Sequence, residues 1–263
     1  MKDKILSHLP PDHPWGQTVY WYDSIPSTNA EAKAMAVKDA PQGTVLLADR
    51  QTAGRGRLGR SFYSPANSGL YLSVILRPHC PPADLMHLTC AVGVAACDAI
   101  EEVSGIRPGI KWINDLLLDG KKLGGILTEL SMNGSNVDYA VVGIGINCNQ
   151  ATIDFPPELQ DIACSVSSAL SKPIDRARLA AALIFHLEIM SRKLFHPQAV
   201  MARYRRDCVT IGKDVMIHRN DTATTGHALN VENDGSLLVR LQDGSIQTVN
   251  SGEVSIRGLF GYV

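Results

Sequence analysis

The chain has 263 residues, 45% of them hydrophobic, 19% charged and 22 of them glycine, which excludes a disordered or fibrous protein and leaves room for one sizeable domain plus a small appendage. The formal net charge of −1 lacks the basic surplus of a nucleic-acid-binding face, so a DNA partner is not expected and only local basic sites remain. The six cysteines, Cys80, Cys90, Cys97, Cys148, Cys164 and Cys208, form no CxxC and no regular framework, and neither an apolar leader nor a run of about 18 apolar residues is read, so a cytoplasmic protein with reduced thiols and no membrane partner is expected.

Residues 18–23 read as a strand, and after Pro26 the string Thr28-Asn29-Ala30-Glu31 reads as a capping box opening an alanine-rich helix to about residue 38. Residues 44–48 form a buried strand, followed by Gln51, the loop 54–60 and a strand at 70–77. A helix at 83–103 carries apolar residues at near-helical spacing and is closed by Gly105. On it His87, Cys90 and Cys97 are zinc-ligand types, but core packing of one helix accounts for them more simply. Strands at 110–118 and 123–131 are joined around Asp119-Gly120, and Asn133-Gly134 turns the chain into a strand at 138–146.

Residues 162–204 read as helical with a break near Lys172-Pro173, and short β runs follow at 215–218, 227–231, 237–241, 247–249 and 254–256. The pattern predicts an α+β fold, a mainly antiparallel sheet with helices on one side, plus a small C-terminal SH3-like β-barrel docked on it. The expected division is a ligand-binding body at 1–209 and the barrel at 210–263.

Gly54-x-Gly56-x-x-Gly59 matches the dinucleotide fingerprint as a string, but its flanks refuse it. No helix pattern starts at Gly59, and no ribose-binding carboxylate follows about 20 residues on. No GxxxxGK[ST] loop and no kinase catalytic loop is present either. What remains is a loop whose glycines let backbone N–H groups approach an anion while Arg55, Arg57 and Arg60 supply guanidinium forks. A second cluster, Lys111-Trp112-Ile113-Asn114-Asp115 followed by Lys121-Lys122, pairs lysine with carboxylate. Read as one strand, alternation puts Lys111 and Asp115 on one face, with Trp112 and Asn114 on the other. Either cluster alone is an ordinary surface turn or ion pair; together they suit a nucleoside triphosphate and its Mg²⁺.

These residues resemble the biotin protein ligase family. The resemblance spans nearly the whole chain and rests on Ser27-Thr28-Asn29, Gln51, Gly54 to Arg60 (similar to GRGRxGR), Lys111 to Asp115 (similar to KWPND), Lys122 to Leu127, and Gly143-Ile144-Gly145-Ile146-Asn147. It departs at Ile113, where the family usually has proline, and at Phe62, where tryptophan is common. The resemblance implies a class II synthetase-like body that activates biotin with ATP and Mg²⁺ and passes it to a lysine of the biotin carboxyl carrier protein of acetyl-CoA carboxylase or a related carboxylase. It further implies the monofunctional class without an N-terminal DNA-binding domain, and a homodimer as one assembly. The resemblance implies that Ser27, Thr28, Asn29, Gln51, Arg55, Gly56, Arg57, Lys122 and Gly124 hold biotin. It implies that Arg55, Arg57, Arg60, Lys111, Asn114, Asp115 and Asn147 hold ATP or the adenylate, with Asp115 on Mg²⁺ and Lys122, Arg57 and Lys111 carrying the chemistry. The alternatives are a lipoate-type protein ligase, or a non-catalytic ligand-binding or regulatory module; intact Arg57, Lys111 and Lys122 speak against lost chemistry.

Overall fold

The computed structural model describes residues 1–219, 222–250 and, for the backbone, 254–258; the last five positions of the expected barrel lie outside the described residues. The chain runs α1 (Lys2–Leu6), β1 (Val19–Tyr22), α2 (Thr28–Ala36), β2 (Val45–Ala48), β3 (Gly69–Leu76), α3 (Leu88–Ser104), β4 (Gly109–Lys111), β5 (Asp115–Leu118), β6 (Lys121–Asn133) and β7 (Asn136–Asn147). Three helices follow, α4 (Val166–Leu170), α5 (Arg176–Ser191) and α6 (Pro197–Asp207), then five strands: β8 (Asp214–Arg219), β9 (Thr222–Val231), β10 (Leu237–Leu241), β11 (Ile246–Val249) and β12 (Val254–Gly258).

A seven-stranded sheet has the order β1-β2-β3-β7-β6-β5-β4 and is antiparallel except for the β1–β2 pair. The tail is a five-stranded antiparallel sheet ordered β11-β10-β9-β8-β12. Alternation along the strands sorts the core. Leu47, Leu72, Val74, Val142 and Ile144 belong to the large cluster beneath α3 and α5, whereas Leu46, Ile75, Val141 and Tyr139 pack with Ala32 and Ala36 of α2. Helices α3 and α5 therefore cover one face, as expected, and the short α2 lies on the opposite face.

Three local expectations change. Ser27, not Thr28, caps α2: its Oγ accepts from Ala30 N at 3.5 Å, which leaves the Thr28 hydroxyl for tertiary contacts. The expected single strand at 110–118 is the hairpin of β4 and β5, in which Lys111 pairs directly with Asp115. The intervening turn trades ladder bonds for tertiary ones: Trp112 N donates to Thr210 Oγ1 at 2.9 Å, and Asn114 exchanges two bonds with Ile126. Lys111 and Asp115 thus meet through a turn rather than through strand alternation. Finally, the 23-residue segment Pro82–Ser104 is long and apolar enough to cross a membrane by length and composition, against the reading that no such run exists, but most of it is buried in the core.

The tail sheet is fastened to the body. The Trp112 indole Nε1 donates to Gly235 O at 2.9 Å, and Arg205 Nε donates to Val231 O at 2.6 Å. Gly235 has φ of 88°, and a Cβ there would lie 3.1 Å from Cys90 Sγ, so the turn needs glycine for both conformation and fit. Arg107 joins Asp98 and Glu101 of α3 to Asp207 at the end of α6.

His13 and His87 are buried, and neither Nε2 has a hydrogen-bond partner among the described residues. Burial lowers both imidazoles below their usual 6.5 because it penalises the cation. Their unfolded forms bind protons first as pH falls, so the stability they contribute is present above about pH 6.5 and is lost below it. Thermal melts should show Tm falling between about pH 7 and 5, and His13→Gln with His87→Gln should flatten that slope; an unchanged slope assigns the loss to other groups.

Candidate active site

A cavity of about 530 Å³ opens on the α2 face of the large sheet. Ser27, Thr28, Asn29, Gln51, Arg55, Gly56, Arg57, Arg60, Lys111, Asn114, Asp115 and Lys122 all line it, so residues far apart in sequence converge as expected. Its floor is the backbone of β7. A Cβ on Gly143 would fall 2.0 Å from Asn29 Oδ1, and one on Gly145 would fall 2.4 Å from the Phe62 ring. Bare backbone is therefore required for these two side chains to approach.

One end of the cavity is a closed polar chain. Thr28 N and Thr28 Oγ1 donate to Gln51 Oε1 at 2.9 and 3.0 Å, and Gln51 Nε2 donates to Ser64 Oγ at 3.1 Å. Ser73 Oγ lies 2.7 Å from Thr28 Oγ1 and 2.6 Å from Asn29 Oδ1. Asn29 Nδ2 donates to Leu127 O at 3.3 Å and to Glu129 Oε2 at 2.9 Å, while Lys33 pairs with the other carboxylate oxygen of Glu129.

The other end is charged. Lys122 Nζ lies 2.6 Å from Asp115 Oδ1, Arg57 Nη1 donates to Asn114 Oδ1 at 3.2 Å, and Lys111 is buried. Burial holds the Arg57 guanidinium below the usual arginine range, with Asp115 opposing that shift and Arg60 adding to it. The Gly/Arg loop is a small hairpin: Gly56 N donates to Arg60 O at 2.7 Å and Phe62 N to Gly54 O at 2.9 Å, with Leu58 exposed at the tip. Several cations facing one carboxylate make this end a receptor for anions.

Two expected residues are placed elsewhere. Asn147 does not line the cavity; its Nδ2 donates to Cys164 O at 3.0 Å and to Lys122 O at 3.5 Å, bracing the backbone that carries Lys122. Gly124 is also outside, since its missing side chain serves the approach of β6 to β7, where a Cβ would sit 2.4 Å from Gly145 O. Its neighbour Gly125 faces the Lys122–Asp115 pair instead. Ser73, Ser64 and Glu129 were not anticipated; a lone serine inside the apolar run of β3 was the signal that could have found the first. Among the described residues no group of three or more His, Cys, Asp or Glu side chains could hold a metal, so His87, Cys90 and Cys97 form no zinc site. Asp115 alone suits Mg²⁺ only when nucleotide phosphates complete its oxygen shell.

Residues 21–147 match the Biotin/lipoate A/B protein ligase family, and residues 210–257 match the Biotin protein ligase C terminal domain. The chain is 34% identical over 236 residues to the Biotin--[acetyl-CoA-carboxylase] ligase of Mycobacterium tuberculosis, covering 87% of this chain and 85% of that protein. The chain belongs to the biotin protein ligase family. It is also 37% identical over 245 residues to the bifunctional ligase/repressor BirA of Bacillus subtilis, covering 92% of this chain and 74% of that protein. The biotin protein ligase of Aquifex aeolicus, solved in complex with biotin and ATP, superposes with a TM-score of 0.79 at 30% identity, covering 92% of this chain and 99% of that one.

The floor gives a direct test of the geometry of this ligase. Gly143→Ala should destabilise it by about 1–3 kcal/mol in urea denaturation, because the methyl must displace Asn29 from its bonds. Gly16→Ala, where a Cβ meets nothing within 4 Å, should stay within about 0.5 kcal/mol. Equal effects would mean that the contact with Asn29 is not a constraint.

Proposed function

We propose that this ligase joins biotin to ATP as biotinoyl-AMP and then transfers biotin to one lysine of a biotin carboxyl carrier protein. The observation that carries the reading is one cavity with a closed chain of polar side chains at one end and Lys111, Lys122, Arg57 and Asn114 at the other. That arrangement suits a molecule with a hydrogen-bonding ring and a carboxylate tail, meeting a nucleotide. Residues 1–209 would supply the cavity and residues 210–263 would brace it.

In the first step an oxygen of the biotin carboxylate forms a bond to the α-phosphorus of ATP as the bond to pyrophosphate breaks. Two anions must approach, and Lys122, Lys111 and Arg57 offset their repulsion. Donors aimed at developing charge contribute roughly 3–4 kcal/mol each in such sites. Lys122 must exchange part of its contact with Asp115 for the arriving anion, so Asp115 keeps the ammonium aimed before substrate binds. Mg²⁺ brought with ATP would supply charge neutralisation on the phosphates, with Asp115 as its protein ligand. In the second step the neutral amine of the carrier lysine attacks the acyl carbonyl, AMP leaves, and the nitrogen gives up a proton. No covalent enzyme intermediate is required. All six cysteines are free thiols, which supports a reducing, cytoplasmic setting.

Purified protein with Mg-ATP should exchange pyrophosphate into ATP only when biotin is present, and should label a single lysine of a carrier domain. Exchange driven by lipoate and not by biotin would move the assignment to a lipoate-type ligase. A second outcome concerns Arg57, whose loop hairpin overhangs the cavity and whose guanidinium reaches Asn114. Arg57→Gly removes a lid contact and one of the three cations but leaves Lys122 and Lys111, so the variant should adenylate biotin more slowly and release the anhydride to bystander lysines. Near-normal adenylation without bystander labelling on a lysine-rich test protein would rule out the lid role.

A further inference from the structure

The turn between β4 and β5 hangs from two different parts of the molecule. Its second half is tied to the large sheet: Asn114 Nδ2 donates to Ile126 O at 3.0 Å, Ile126 N donates to Asn114 O at 2.8 Å, and Asp115 pairs with Gly125 across β5 and β6. Its first half is tied to the segment that leaves α6. Val209 N donates to Ile110 O at 3.0 Å, Ile110 and Cys208 form a parallel bridge, and Trp112 N donates to Thr210 Oγ1 at 2.9 Å. A Cβ on Gly109 would lie 2.4 Å from Val209 Cγ1, so glycine lets this segment run close against β4.

A parallel ladder continued by one rung would take Trp112 N to the Val209 carbonyl. The Thr210 hydroxyl takes it instead, and that oxygen fixes the peptide between Lys111 and Trp112. Both residues are buried and both line the cavity, so the tilt of this peptide sets how they face it. The pairing of Lys111 with Asp115 holds the stem of the hairpin in register but does not orient the peptide beyond the stem. The indole bond to Gly235 O anchors the ring through a rotatable side chain, and the Tyr204 hydroxyl, 3.4 Å from Ile113 O, holds a later carbonyl only loosely. Thr210 is itself buried and lies outside the cavity lining. Without its oxygen the Trp112 N–H would stand unpaired in a dry interface, and the first half of the turn would swing to find another acceptor.

We propose that Thr210 is a positioning residue for the nucleotide end of the cavity, acting through the Lys111–Trp112 peptide and touching no substrate itself. This rests on the adenylation reading above and extends the site into the segment that joins α6 to the tail sheet. The closed polar end hangs on Thr28, Asn29, Gln51, Ser64 and Ser73 instead, so the two ends should respond separately. When the turn holds its binding arrangement for only a fraction of the time, the apparent affinity for ATP falls by that fraction.

The test is a series at one position. Thr210→Ser keeps the hydroxyl and loses a methyl group, Thr210→Val keeps the shape and loses the hydroxyl, and Thr210→Cys puts a weak acceptor in its place. In biotin-dependent pyrophosphate exchange, KM for ATP should rise about tenfold in Thr210→Val, by an intermediate factor in Thr210→Cys and by less than about twofold in Thr210→Ser. Kd for biotin, measured by calorimetry without ATP, should stay within about twofold throughout, which also shows that each variant is folded. Packing alone predicts the reverse order, with valine close to wild type and serine the poorer. That order, an unchanged KM for ATP in Thr210→Val, or an equal loss of biotin affinity would overturn the proposal. If Thr210→Val does not fold, the cysteine and serine variants decide by the same order. An ATP analogue with a methylene group between the α- and β-phosphates reads the nucleotide end without turnover. A wild-type protein that bound this analogue but failed at exchange would sink the adenylation reading and leave the analogue's Kd across the series to decide this one; a wild-type protein that bound no nucleotide would sink both.

Discussion

No side chain can stand on β7 at Gly143 or Gly145, because Asn29 and Phe62 occupy the space where a Cβ would be. A sheet normally presents side chains on both faces, and a pocket against it exists only where one stretch is stripped. Here the stripped stretch lets α2 drop onto the strand, so Thr28 and Asn29 sit close enough to Ser73 and Gln51 to form a continuous chain of hydrogen bonds. It also lets Phe62 anchor the far side of the Gly/Arg hairpin on the same floor. The placement of both cavity ends follows from two missing methyl groups.

The charged end is held together under tension of a different kind. Lys111 is buried, Arg57 is partly buried beside Arg60, and Asp115 answers them together with the Lys122 ammonium. Concentrating cations away from water costs solvation that one carboxylate only partly offsets. An incoming polyanion relieves that cost, so the energy spent on holding the cations in place is returned when the ligand binds. The hairpin of β4 and β5 makes this compact, since it folds Lys111 directly against Asp115 instead of leaving them spaced along one strand.

Much of this was legible in the sequence, and the failures have physical causes. Apolar runs located β1, β2, β3, β6 and β7 of the large sheet, and the glycines and arginines of residues 54–60 identified the anion loop. The alternation Ile110, Trp112, Asn114, Leu116 imitated one strand because the turn inside it is held by Thr210 and Ile126, partners remote in sequence. Asn147 was drawn into the site by its motif, but its amide faces the backbone of Lys122 and Cys164. Ser73 and Glu129 were missed because a hydroxyl in an apolar strand and a carboxylate in a long hairpin acquire meaning only when Asn29 is seen between them. The division of α2 from α3 and α5 across the sheet was likewise hidden, since periodicity reports which side of a helix is buried and not which side of a sheet it covers.

The indole of Trp112 ties the turn between β4 and β5 to a carbonyl in the tail sheet, at a glycine whose φ of 88° few other residues would adopt. The tail is therefore not a module that can be traded freely among relatives. A chimera that grafts a foreign C-terminal segment after α6 must reproduce both the left-handed glycine and the spacing that brings its carbonyl to the indole. Otherwise it leaves a donor stranded in a dry interface, at a cost of about 1–3 kcal/mol. Evolutionary exchange of these tails should accordingly be constrained by the tryptophan they dock on as much as by their own packing.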